Sequence, residues 1–114
     1  AFRHAPFHDG KSLDTLITYY NAHLKAAGCD YVICLGHLGI DAESTGNRSI
    51  DLLEEVDGID VFIDGHSHTV MENKQVYDAA GKAVTLTQTG SYLANVGKMT
   101  IAEDGAITTE LIST

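Results

Sequence analysis

The chain has 114 residues and a formal net charge of −9, and it is 44% hydrophobic and 20% charged, the balance of a globular domain and not of a disordered segment. Its seven basic residues are scattered, which argues against a nucleic-acid polymer as partner, because backbone phosphates are held by clustered Lys and Arg. No apolar run approaches the ~20 residues that span a bilayer, and the stretch from Ala1 to Pro6 lacks the apolar segment of a signal peptide.

Ala1 either follows a trimmed start methionine or lies inside a longer protein. His4 and His8 fall in an unpatterned N-terminal stretch and read as exposed. Leu13, Leu16, Ile17, Tyr20, Leu24 and Ala27 share one face of a 3.6-residue period, with Ser12 placed to cap the start and Gly28 to close the end, so a helix is predicted. His23 lies off that face and reads as solvated. Cys29 and Cys34 are awkwardly placed for a bridge and are expected to be reduced. The run from Tyr31 to Leu35 is a buried strand.

Gly36 to Arg48 reads as loop. Ser49 is then expected to cap a short helix running to Val56, with Ile50, Leu53 and Val56 facing inward. Asp60 to Asp64 forms a second buried strand, and this order argues for a parallel βαβ unit. Beyond His68 the texture is antiparallel. One hairpin joins Val76-Tyr77 to the run from Val84 to Gln88 across Asp78 to Gly81. A second joins the run from Val96 to Ala102 to that from Ile107 to Ile112 across Asp104-Gly105.

Two loops carry the chemistry, each directly after a buried strand: Leu35-Gly36-His37-Leu38-Gly39 and Asp64-Gly65-His66-Ser67-His68-Thr69. Carboxyl ends of neighbouring parallel strands are where such sheets bind ligands. A lone histidine at a strand end is usually a hydrogen-bonded surface residue, and His-x-His alone is a weak signal. Three imidazoles on two adjacent loop tips instead point to metal ligation by His37, His66 and His68. The acidic balance accords with a cation site, although a solvated acidic surface is the simpler reading. Asp41, Glu43 and Asn47 could border the site, but a solvated loop is the simpler reading.

The segment from Tyr31 to Gly39, and above all Gly58 to Thr69 with its Gly-His-Ser-His-Thr motif, resembles the 5′-nucleotidase branch of the calcineurin-like metallophosphoesterases. The stretch from Gln88 to Tyr92 and on through Val96 to Met99 resembles the strand region closing that catalytic domain. The resemblance implies an αββα sandwich holding two divalent ions, not distinguished among Zn, Mn, Fe, Ca and Mg, that act on a phosphoester such as a nucleotide by water attack. It implies His37 and His66 on one ion and His68 on the other. It also implies an extracellular, cell-surface or periplasmic setting.

The family's first-half Asp-x-His, Gly-Asp-x-x-Asp and Gly-Asn-His motifs are not recognisable here, since Asp64-Gly65-His66 belongs to the later motif, so no catalytic residue is assigned. Residues 1–114 are therefore expected to be the C-terminal half of the catalytic domain: a partial α/β sandwich with a short parallel βαβ unit followed by antiparallel strands. The partner would be the N-terminal half of the same domain, and the nucleotide-specificity domain would lie elsewhere. Alone, the chain should carry a partial or empty metal site and little activity. It should supply one of the sandwich's two sheets and self-associate through an exposed apolar sheet face. The alternatives are a mononuclear three-histidine zinc hydrolase and a non-catalytic interaction module.

Overall fold

The computed structural model describes residues 13–114, so the expectations for His4, His8 and the Ser12 cap lie outside the described residues. Helix α1 spans Leu13–Ala26. It ends in a Schellman motif, with Cys29 N–H donating to Leu24 O and Gly28 N–H to Lys25 O. Leu13 and Ile17 pack against the core. The predicted apolar face is overturned farther along: Tyr20, Leu24 and Ala27 are exposed, because α1 makes its main contact with the short helix α2 (Ser49–Glu55). Its one buried residue is the polar Asn21, whose amide donates to Asp57 O at 2.7 Å.

The strands are β1 Ile33–Leu35, β2 Val61–Ile63, β3 Val70–Tyr77, β4 Ala83–Thr89, β5 Asn95–Ile101 and β6 Ile107–Ser113. They form a four-stranded sheet in the order β1-β2-β4-β3 and a separate β5-β6 hairpin. The parallel β1-α2-β2 unit is present as predicted, with Ile33 opposite Val61 and Leu35 opposite Ile63. Both hairpins form where the turn residues placed them: Asp78 Oδ1 accepts from Ala80 and Lys82 N–H, and Asp104 Oδ1 from Ala106 N–H. The C-terminal half is not wholly antiparallel, however. β4 pairs parallel with β2 and antiparallel with β3, extending the parallel sheet to three strands.

Side-chain alternation divides the main sheet into two faces. Phe62, Val84 and Leu86 join Leu52, Leu53, Val56 and Ile59 in the core beneath the helices, with Cys34 packed against them. On the opposite face the β5-β6 hairpin lies over Ile63, Thr87 and Thr89, held by Thr109 Oγ1 donating to Glu72 O and Leu111 N–H to Glu72 Oε2. The expectation of a single sheet is thus not met, because the last two strands pair only with each other. The hairpin does not reach β1, where Ile33 and Leu35 stay 42% and 76% exposed. A further correction concerns Ser49. Arg48 occupies the N-cap position of α2, Asp51 reaches back to accept from Gly46 and Arg48 N–H, and Ser49 is the buried first helical residue.

Candidate metal centre

β1, β2 and β4 run parallel, so their carboxyl ends share one sheet edge. His37 sits just beyond β1, His66 and His68 just beyond β2, and the turn from Ser91 to Ala94 just beyond β4. Four described non-glycine residues adopt positive φ: His66 (77°), His68 (55°), Tyr92 (56°) and Leu93 (57°). All four lie on the loops of this edge. Left-handed backbone costs a non-glycine residue of order 1–3 kcal/mol and concentrates at functional sites. Here it turns two successive histidines out of the strand direction.

The structure brings His37 and His66 together, their ring centroids 5.1 Å apart and their planes at 74°. Two imidazoles sharing one tetrahedral ion at ordinary metal–nitrogen distances have centroids about 5 Å apart, a spacing that this pair matches. Gly65 makes the approach possible: a Cβ there would lie 3.2 Å from His37 Nδ1. His68 is exposed and does not join the pair. Among the described residues no three His, Cys, Asp or Glu side chains gather into a group that could hold a metal ion.

Beneath the histidines lies a set of polar side chains. Asp64, buried at the end of β2, accepts from Leu38 N–H and Gly39 N–H with its carboxylate. Gly39 O in turn accepts from Ser49 Oγ and Ser49 N–H. Ser67, between the two motif histidines, accepts from Ile40 N–H and bonds Thr69 Oγ1 and Gln88. The fully buried Gln88 also accepts from Thr69 N–H through Oε1.

Sequence reasoning stopped at the histidines and missed Asp64, Ser67 and Gln88 as their supports. The available signal was polarity where the strand pattern calls for apolar residues, at the last positions of two buried strands. His23 is exposed and stacks on Tyr19. Asp41 O and Ala42 O accept the bonds of the 3₁₀ turn Ala42–Ser44. Glu43 and Asn47 are exposed, and no hydrogen bond among the described residues ties the side chains of Asp41, Glu43 or Asn47 to the histidine loops. Both cysteines are free.

No family model matches the chain. It is 32% identical over 65 residues, 54% of its length, to the 2′,3′-cyclic-nucleotide 2′-phosphodiesterase/3′-nucleotidase of Salmonella typhimurium. It is 45% identical over 49 residues, 40% of its length, to the trifunctional nucleotide phosphoesterase YfkN of Bacillus subtilis. The chain spans only 10% and 3% of those relatives. Among solved structures it resembles a 5′-nucleotidase precursor of Thermus thermophilus, with a TM-score of 0.68 at 20% identity over 90% of this chain and 23% of that one. The NAD nucleotidase of Haemophilus influenzae follows, with a TM-score of 0.66 at 19% identity over 90% and 22%.

Proposed function

We propose that this chain, a relative of the 5′-nucleotidase-like metallophosphoesterases, forms part of the metal-dependent centre of a phosphoester hydrolase acting on nucleotides. The observation that carries the reading is the His37–His66 pair, two imidazoles set 5.1 Å apart at neighbouring parallel strand ends. His37 and His66 would hold one divalent ion and His68 would serve a second. Such ions supply Lewis-acid stabilisation of the phosphoryl oxygens and a water made nucleophilic at neutral pH.

This chain's own part is to bind and orient. The buried polar set under the loops keeps the imidazoles in place, and the positive-φ turns present His66 and His68 to the solvent side of the edge. A bridging carboxylate and the remaining ligands would come from the other half of the catalytic domain, which is also the partner proposed for the exposed Ile33–Leu35 face. Nucleotide substrates are favoured because both sequence relatives are nucleotide phosphoesterases by name. The family resemblance favours an extracellular, cell-surface or periplasmic setting, and among the described residues no helix is long and apolar enough to cross a membrane. The mononuclear three-histidine alternative needs all three rings on one ion, and no such group gathers among the described residues.

Complementation tests the reading. The purified 114-residue chain should hydrolyse nucleotides and generic phosphodiesters negligibly, since removing parts that act as a unit removes nearly all catalysis. Mixing it with a segment bearing the Asp-x-His and Gly-Asn-His motifs should give metal-dependent turnover that His66→Ala abolishes. Robust turnover by the chain alone, or turnover of the pair indifferent to His66, would overturn it.

A further inference from the structure

We propose that Asp64 is the positioning residue of this edge: its buried carboxylate fixes the backbone beyond β1 so that the His37 ring stands against the His66 ring. The residue is 9% exposed. Oδ1 accepts from Leu38 N–H at 2.9 Å and Gly39 N–H at 3.2 Å, and Oδ2 accepts from Gly39 N–H at 3.1 Å. No cation pairs with it among the described residues. A buried carboxylate is costly unless hydrogen-bonded, and bonds to an ionised acceptor are the strong ones. Asp64 therefore works as an acceptor for one particular piece of backbone.

Its place in the chain makes the clamp specific. The Asp64 backbone N–H donates to Thr87 O at 2.9 Å, anchoring the residue to β4. Its side chain reaches the residue directly after His37, while its own chain continues through Gly65 to His66. The same carboxylate thus sits between the two histidines along both routes. Gly39 is gripped from both sides, by Asp64 at its N–H and by Ser49 at its carbonyl. Slack at Leu38-Gly39 would pass directly to His37, whose ring already lies against Gly65.

The test uses the 114-residue chain as wild type, Asp64→Ala and Asp64→Asn. The nuclear Overhauser effect between the His37 and His66 rings is measured without metal, and cobalt(II) affinity is then titrated. The ring-to-ring effect does not depend on the metal reading above; the affinity change rests on it. Asp64→Ala should abolish the effect while the β5-β6 amide pattern stays unchanged, and should weaken cobalt binding about tenfold or more. Asp64→Asn keeps one acceptor for Leu38 N–H but sets an amide against Gly39 N–H, so it should restore the effect only in part. If Asp64→Ala does not fold, Asp64→Asn decides: a weakened effect supports the role, and wild-type strength overturns it. Wild-type strength in both variants, or no effect in the wild type, overturns it as well. Should the rings separate in the variants while the wild type binds no cobalt, the positioning role is sustained, and the metal reading is decided by turnover of the complemented pair described above.

Discussion

Gly36 offers the sharpest test of how the β1 loop is seated. A Cβ built there would overlap Phe62 Cζ and lie 2.5 Å from Cε1. Phe62 is 1% exposed within the core and has no room to swing away. The Gly36 backbone is pinned as well, its N–H donating to Ile63 O at 2.9 Å. Gly36→Ala is therefore an overpacking substitution, expected to cost about 2 kcal/mol and to lower Tm by roughly 8–12 °C. Phe62→Leu alone should cost about 1–2 kcal/mol through the space it leaves, but it also removes the atoms that collide. The double variant should then be at least about 1 kcal/mol more stable than the sum of the single effects. Urea unfolding followed by tyrosine fluorescence and far-UV circular dichroism reads all four proteins. A Gly36→Ala chain as stable as wild type, or single effects that add within about 0.5 kcal/mol, would refute the reasoning.

Gln88→Ala removes a fully buried amide and orphans Thr69 N–H, so it should destabilise by about 2–3 kcal/mol in the same assay. Burial pushes the Asp60 carboxyl up, but the bonds from Lys82 and Val32 N–H and the charges of Lys82 and Lys25 outweigh it and hold Asp60 below its ordinary 3.8. Its contribution is present above that value and fades as pH falls through the lower folded one. Urea midpoints taken from pH 6 to pH 3 should therefore fall more steeply in wild type than in Asp60→Asn. Burial, helped by the Asp64 charge, raises the Cys34 thiol to about 11, so a thiol reagent at pH 8 should label the exposed Cys29 first, as a mass map would read. Leu35→Asp should reduce any self-association seen by light scattering while moving stability by no more than about 0.5 kcal/mol, Leu35 being 76% exposed.

Periodicity and turn chemistry made the elements legible. The Asp78–Gly81 and Asp104-Gly105 turns and the two apolar runs each specify local geometry, and the strands fall where those signals put them, except that β3 begins at Val70, ahead of the predicted Val76-Tyr77. What stayed hidden is set by partners distant in sequence. The parallel pairing of β4 with β2 leaves no mark in β4, whose Val-Thr-Leu-Thr alternation suits either direction. The exposure of Tyr20 and Leu24 depends on what α1 has to lie against. Ser49 reads as a cap because caps are local, whereas its actual acceptor is ten residues back at Gly39. The histidines announced themselves by motif, but the polar groups beneath them bond across gaps such as Asp64 to Gly39 and Gln88 to Thr69.

The arrangement of the main sheet also sets an order in time. Tyr77 meets Ala83 and Ile101 meets Ile107 across short turns, so β3-β4 and β5-β6 can each zip within about 1–10 μs. Ile33 must find Val61, and Val61 must find Thr85, across loops whose closure entropy is met before any pairing rewards it. The histidine edge exists only once both parallel pairings are made, and the Asp64 clamp closes only after that. In a refolding chain the β3-β4 and β5-β6 amides should accordingly gain protection from hydrogen exchange no later than the His37 and His66 loops do.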